Sequence, residues 1–367
     1  MTAAMRHPTV EAAAAPLRGR RVLVTGGFGF LGSHTTRALA EAGAEVTCLD
    51  ILTAPRRPSL VNAPEAGLRR RVRVATVDMT EPSAVRRVVD RGGFHAVFHF
   101  AAYAAVVEKA VTAPLETIRS NTMAWVNLLE ALRLRAPRPE AVVFASTDKV
   151  YGDNSGRPYD EERTPLQGIG VYDSAKLAAD LFARTYHEAY GLPTITVRMC
   201  NVFGPWDFNT GYRLVPRTLE GLYGRSPMRP PEVYDDSLSH RRDYVFVDDA
   251  VRALLLLACE PRCRGEVYNL RCCRNLSTPR MLAAVLRTAV RVERGLRPER
   301  AAAMARLEVV ERARSTGASL KTIERQHLKS RKIQEALGFE PLVGFEEGLD
   351  RTVRFYRDYY AARGRRG

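Results

Sequence analysis

Lysine is scarce in this chain: there are six among 367 residues, so arginine carries nearly all the positive side of a net charge of +15. The arginines are spread along the sequence with no dense basic block, which argues against a nucleic-acid footprint. What remains is a general pull on small anions. Long apolar runs are also missing, and nothing approaches the ~20 residues of a membrane span. The longest candidate, AVRALLLLACE at 250–260, is short and reads as a buried helix. The opening MTAAMRHPTVEAAAAPLRGR has no charged start, apolar core and cleavage site in order, so no secretory signal is read there. Residues 1–19 are expected to form a disordered lead-in. The six cysteines (48, 200, 259, 263, 272 and 273) show no spaced pair of CxxC units. That excludes a zinc site, and no metal is expected; the bland reading is thiols in a reducing cytoplasm. Neither nucleic acid nor membrane is an expected partner.

What is present is a soluble composition, 46% hydrophobic and 26% charged, in a chain long enough for one large α/β domain with an appendage. RRVLVTGGFGFLGSHTTRALAEAGAEVTCLD (20–50) is its most informative passage. A short β-branched strand runs to Thr25, glycines follow at 26, 29 and 32, a helical segment reaches Gly43, and a second strand ends on Asp50. Glycines at this spacing tighten the turn, admit a pyrophosphate to the backbone and let helix pack on strand. The N–H groups around Phe30 and Leu31, where the helix begins, would face the phosphates. Asp50 lies 18 residues beyond Gly32, placed for the adenosine ribose. Its charge would repel a 2′-phosphate, so the expected cofactor is NAD.

Further strand ends fit the same sheet. RVRVATVDMT (71–80) ends in Asp78 and Met79, placed to flank an adenine. AVFHFAAY (96–103) ends in the small Ala101 and Ala102, where a cofactor can pass close to the backbone; His99 reads as a packed strand residue. EAVVFAS (140–146) runs into Thr147, Asp148 and Lys149. Strands alternating with helices predict a parallel sheet covered on both faces, with ligands at the carboxyl ends of its strands. In GVYDSAKLAADLFARTYHEAYG (170–191), Tyr172 and Lys176 stand four apart on one helical face. A cation beside a phenol favours the phenolate, so the expectation is a Tyr172 with lowered pKa, usable as a base.

TGGFGFLG (25–32), STD (146–148) and YDSAK (172–176) together resemble the extended short-chain dehydrogenase/reductase superfamily, in its nucleotide-sugar epimerase/dehydratase branch. The likeness continues through RMCNVFGPWDFN (198–209), RRDYVFVDDAVRALLLL (241–257), GEVYNL (265–270) and LGFEPLVGFEEGLDRTVRFYRDYY (337–360). It implies a Rossmann-type doubly wound parallel sheet with a smaller mixed C-terminal domain for a nucleotide-diphosphate sugar. By that resemblance Tyr172 removes the proton of the sugar 4-hydroxyl, Lys176 holds the nicotinamide ribose, and Thr147 helps bind the 4-oxygen, with NAD as hydride acceptor. Asn201 and Arg242 fall where relatives contact the nucleotide diphosphate; an arginine fork suits phosphate oxygens. Asn201 as a turn cap and Arg242 as a surface ion pair are the plain alternatives.

A 4-epimerase needs no further acid or base. A 4,6-dehydratase must also move protons at C5 and C6, and the Asp148–Lys149 pair is similar to the one that dehydratases with a Thr-Asp-Lys motif, of CDP-glucose type, carry after this threonine. The implied activity is therefore an NDP-hexose 4,6-dehydratase, with a 4-epimerase and a non-catalytic NAD-binding protein as alternatives. Departures from the family pattern are Tyr103, Ala124-Trp125, Cys200 and the stretch 224–240. The expected division is a NAD-binding domain of 20–200 plus about 244–270, taking back a strand near 244–247. A sugar-nucleotide domain of 201–243 plus 271–360 and a basic tail, 361–367, complete it. The arginine-rich 285–315 reads as helical. A homodimer through the helix carrying Tyr172 and its neighbour (121–134) is expected by analogy.

Overall fold

In the computed structural model, residues 9–55, 57–103, 108–271, 274–313 and 323–364 are described. The strands in chain order are β1 (Arg21–Thr25), β2 (Glu45–Asp50), β3 (Arg73–Thr76), β4 (Ala96–His99), β5 (Ala141–Thr147) and β6 (Thr194–Met199). They continue with β7 (Asn201–Phe203), β8 (Glu232–Tyr234), β9 (Arg241–Phe246), β10 (Val267–Leu270), β11 (Arg274–Ser277) and β12 (Val310–Arg312). The helices are α1 (Val10–Ala14), α2 (Phe30–Glu41), α3 (Pro82–Gly92), α4 (Glu108–Thr112), α5 (Pro114–Ile118), α6 (Ala124–Arg133) and α7 (Val171–Tyr190). Then come α8 (Leu214–Tyr223), α9 (Val247–Cys259), α10 (Thr278–Arg294), α11 (Pro298–Ala305), α12 (Arg331–Leu337) and α13 (Phe345–Gly364).

Seven parallel strands form one sheet in the order β10-β6-β5-β4-β1-β2-β3. Strand alternation explains its two-sided burial. Val22 and Val24 of β1 join the core under α2 and α9, whereas Leu23 faces the opposite core with Trp125, Leu128 and Ala179 of α6 and α7. The order reverses between β4 and β1, and in a doubly wound sheet that reversal opens the crevice where a ligand sits. The Rossmann-type architecture read from the sequence is thus the observed one.

Three expectations need correction. The strand near 244–247 does not join the large sheet: β9 pairs with β7 in parallel and with β11 antiparallel in a separate mixed sheet. Its helix α9 nevertheless packs on the large sheet, starting at Val247 directly after Phe246. Part of the lead-in is folded. Thr9 caps α1 by accepting from the Ala12 N–H at 3.3 Å, and Ala13, Ala14 and Leu17 are buried, α1 lying against α9. The arginine-rich 285–315 is not continuous helix, because α10 stops before Gly295, α11 restarts at Pro298, and β12 pairs with β8. Of the tail, 361–364 belong to α13, and 365–367 lie outside the described residues. Cys48, Cys200, Cys259 and Cys263 form no disulfide; Cys272 and Cys273 lie outside the described residues. Among the described residues no helix is long and apolar enough to cross a membrane.

Candidate functional site

The glycine turn sits at the carboxyl end of β1, against the end of β4. Gly26 has a left-handed φ of +65°, and a Cβ there would lie 2.7 Å from the Ala101 nitrogen. A Cβ on Gly32 would lie 2.1 Å from the Gly26 carbonyl oxygen, so α2 can start this close to the turn only without a side chain. Gly29 precedes α2 in extended backbone, and no side chain caps the helix; its first N–H groups, at Phe30 and Leu31, are where an anion would be held. Asp50 ends β2, and its two carboxylate oxygens accept from the Phe28 N–H (3.0 Å) and the Leu52 N–H (2.9 Å). A carboxylate has room for about four acceptor contacts, so capacity for a ribose remains. Asp78 is exposed beyond β3, Met79 is buried beside it, and Ala101 and Ala102 follow β4. The cradle fits a dinucleotide. His99 is a packed residue, its Nδ1 2.7 Å from the Thr25 hydroxyl and its ring stacked on Trp125 and Phe144.

Thr147 ends β5 and caps the short turn Asp148–Tyr151 by accepting from the Lys149 N–H at 3.3 Å. Its hydroxyl donates to Asp148 Oδ1 at 3.2 Å. The other carboxylate oxygen, Oδ2, is buried with no hydrogen-bond partner among the described residues. Burial is the largest influence on Asp148 and brings its carboxyl up to about 7, against the opposing charges of Lys149 and Arg242. A carboxyl that stays partly protonated at neutral pH can act as a proton donor.

Tyr172 and Lys176 stand in the first turns of α7, half-buried and buried respectively. The expected coupling is not the observed one. Lys176 Nζ donates to the Ala145 carbonyl at 2.7 Å and lies 4.2 Å from the centre of the Phe144 ring. The Tyr172 phenol is pushed above its ordinary value, by burial first and then by Asp173, with Arg213 the opposing cation. The lysine head is turned to the strand, so the phenol meets more burial than positive charge. Burial brings Lys176 itself down to about 7, Asp180 opposing it.

Asn201 opens β7 and pairs in register with Tyr244 of β9. Arg242, also on β9, donates to the carbonyls of Arg241 (2.8 Å), Glu324 (2.9 Å) and Ile323 (2.7 Å) while its charge reaches Asp148 and Asp173. Of its five donors some remain for an anion. Two further residues of the site carry no signal of their own in the sequence. Asp173, next to Tyr172, is buried, accepts from the Gly170 N–H at 3.3 Å and is raised by burial. Arg213, just before α8, pairs with Asp207 at 3.0 Å, donates to the Val202 carbonyl and lies 5.5 Å from the centre of the Phe30 ring at the start of α2. Asp173 lay inside a quoted motif, whereas Arg213 had no signal beyond its place after NVFGPWDFN.

Residues 22–270 match the family described as the NAD dependent epimerase/dehydratase family. A UDP-glucuronate 4-epimerase of Arabidopsis thaliana is 34% identical over 238 residues, 64% of this chain; the match spans 50% of that protein's length. A dTDP-glucose 4,6-dehydratase of Streptomyces niveus is 32% identical over 357 residues, 92% of this chain and 93% of that protein. Among solved structures, an epimerase of Methanothermobacter thermautotrophicus superposes with a TM-score of 0.81 at 27% identity, covering 97% of both chains.

Proposed function

Since the chain belongs to the NAD dependent epimerase/dehydratase family, we propose that it is an NDP-hexose 4,6-dehydratase. It would convert an NDP-hexose into an NDP-4-keto-6-deoxyhexose. The family depends on NAD, and NAD is the cofactor. Bound in the cleft, it supplies the acceptor for the C4 hydride and the donor for its return to C6. The observation that carries the dehydratase reading is Asp148: buried, proton-holding at neutral pH, and beside Lys149 at the end of β5.

In this reading Tyr172, acting in its phenolate form although burial opposes that form, takes the proton of the 4-hydroxyl while the C4–H bond breaks, and Thr147 holds the 4-oxygen. Lys149, next to Asp148 in the turn, takes the C5 proton, now acidified by the 4-keto group. Asp148 gives its proton to the 6-hydroxyl, the C6–O bond breaks and water leaves. Hydride return to C6 and a proton to C5 complete the product. Acid–base help of this kind is worth roughly 10²–10⁴-fold. Asn201 and Arg242 hold the nucleotide diphosphate. The second reading is a 4-epimerase on the same Tyr172–Lys176–Thr147 site, favoured by the epimerase relative and by the charge of Lys149 acting on two carboxylates, Asp148 and Asp173. We also propose a homodimer: Leu181 and Phe182 of α7 are exposed, and Leu115, Ile118 and Met123 are exposed on the segment packed beside it.

The deciding experiment incubates the protein with CDP-, UDP-, dTDP- and GDP-hexoses in D₂O. A 6-deoxy-4-keto product carrying deuterium at C5 is the expected result; a C4 epimer without exchange at C5 overturns the dehydratase. Lys149→Ala is expected to lose elimination while keeping C4 oxidation, and unchanged turnover removes Lys149 from the mechanism.

A further inference from the structure

Behind the site runs a buried polar network that the chemistry above does not use. Asp180 stands one turn beyond Lys176 on α7, and Arg198 lies in β6; both are buried. Arg198 donates Nε to Asp180 Oδ2 (3.0 Å) and Nη2 to Oδ1 (2.8 Å), a two-pronged pair. The Ser146 hydroxyl, immediately before Thr147, donates to the same Oδ2 at 2.7 Å. Arg198 Nη1 donates to the Tyr151 hydroxyl at 2.9 Å, and Tyr151 closes the turn that carries Asp148 and Lys149. The Tyr151 hydroxyl in turn donates to Asn269 Oδ1 of β10 at 2.8 Å, and Asn269 Nδ2 donates to the Tyr159 carbonyl at 3.1 Å.

A buried ion pair is no guarantee of stability, since apolar residues of similar volume often serve as well. What the charges do here is join neighbours of the reacting groups. We propose that Asp180 and Arg198 are positioning residues, a clamp that fixes the end of β5, the turn after it and the Lys176 head in one arrangement. The clamp acts on charge as well as on geometry. Asp180 opposes the burial that strips the proton from Lys176. The other groups facing Lys176 are His99 of β4, held neutral by burial and bonded to Thr25, and the Phe144 ring of β5, with Arg198 behind Asp180. The role rests on the C4-oxidising site proposed above, but the decisive measurement needs no substrate.

That measurement is a pH titration of Lys176 in protein labelled with ¹³Cε-lysine. With six lysines in the chain, Lys176→Arg identifies the resonance. The test variant combines Asp180→Leu with Arg198→Met, which fills the site with apolar volume and so satisfies a merely structural role. In the folded variant the Lys176 midpoint is expected to fall, because the adjacent carboxylate of Asp180 is gone and loss of the Arg198 cation behind it offsets only part of that change. Once a substrate is in hand, kcat is expected to fall at least about a hundredfold with KM within about twofold. Either an unmoved Lys176 midpoint or a wild-type kcat overturns the clamp. If the double variant does not fold, Ser146→Ala and Tyr151→Phe, which leave the ion pair whole, decide instead. A lowered kcat at unchanged KM supports the clamp, and wild-type kcat in both overturns it.

Discussion

At the scale of single residues, Asp148 sets up a conflict between stability and chemistry. Its carboxyl is raised from 3.8 to about 7, so the folded state keeps a proton that the unfolded chain releases over that window. Stability is therefore lost as pH rises from about 4 to about 7, the carboxylate of the folded state being the buried, penalised form. Asp148→Asn, of the same shape and always neutral, is expected to melt with the wild type at pH 4 and above it at pH 8, read by thermal unfolding at the two pH values. The same substitution is expected to cut elimination by about 10²–10⁴-fold, and wild-type elimination should decline as pH climbs through the Asp148 midpoint. Thr147, Asp148, Tyr172 and Lys176 were legible in the sequence because they sit in short motifs at strand and helix ends. The direction of the Tyr172 shift was not. A four-residue spacing says which face two side chains share, but not that the Lys176 head turns to the Ala145 carbonyl. Arg213 and Asp180 escaped for a related reason: they reach the site across lobes or from behind it, through contacts far apart in the chain.

Among elements, the turn between β1 and α2 is the one whose geometry follows most directly from composition. The contact a Cβ at Gly32 would make with the Gly26 oxygen cannot be relieved by a rotamer change, since a Cβ is fixed by its backbone and its partner is a backbone carbonyl. Gly32→Ala is expected to cost about 1–3 kcal/mol of stability, as overpacking does, and to weaken NAD binding by tilting the start of α2 away from the phosphates. Thermal melts with calorimetric titration of NAD check both. Apolar strands and the glycine turn predicted β1, β2 and β5 correctly in kind and nearly in extent, whereas β4, read over 96–103, ends at His99. The misplaced strand, β9, shows the limit of such reading. RDYVFV has the apolar pattern of a sheet strand, and pattern cannot say which sheet. Pairing with β7 and β11 is settled by contacts more than twenty residues away in sequence. The lead-in was misread in the other direction, because its alanines look featureless until α9 offers them a surface.

For the whole molecule, the outer face of α7 is the surface to test. Leu181 and Phe182 are exposed there although the opposite side of the helix buries Ala179 and Ala183 in the core. If that face is the proposed dimer contact, Leu181→Glu combined with Phe182→Glu is expected to give a monomer in light scattering, where the parent chain gives twice the mass. A parent that is itself monomeric at micromolar concentration removes the proposal. The join between β9 and α9 has a separate consequence, for protein engineering. Arg241–Phe246 belongs to the small sheet and Val247–Cys259 to the large one, with no intervening residue. A chimera that grafts another protein's small sheet onto this large one thus has no spacer to cut there. A seam between 246 and 247 would leave helix and strand from different parents to agree on one rigid angle. Grafts that carry β9 and α9 together, with seams in loops on either side, keep that angle native.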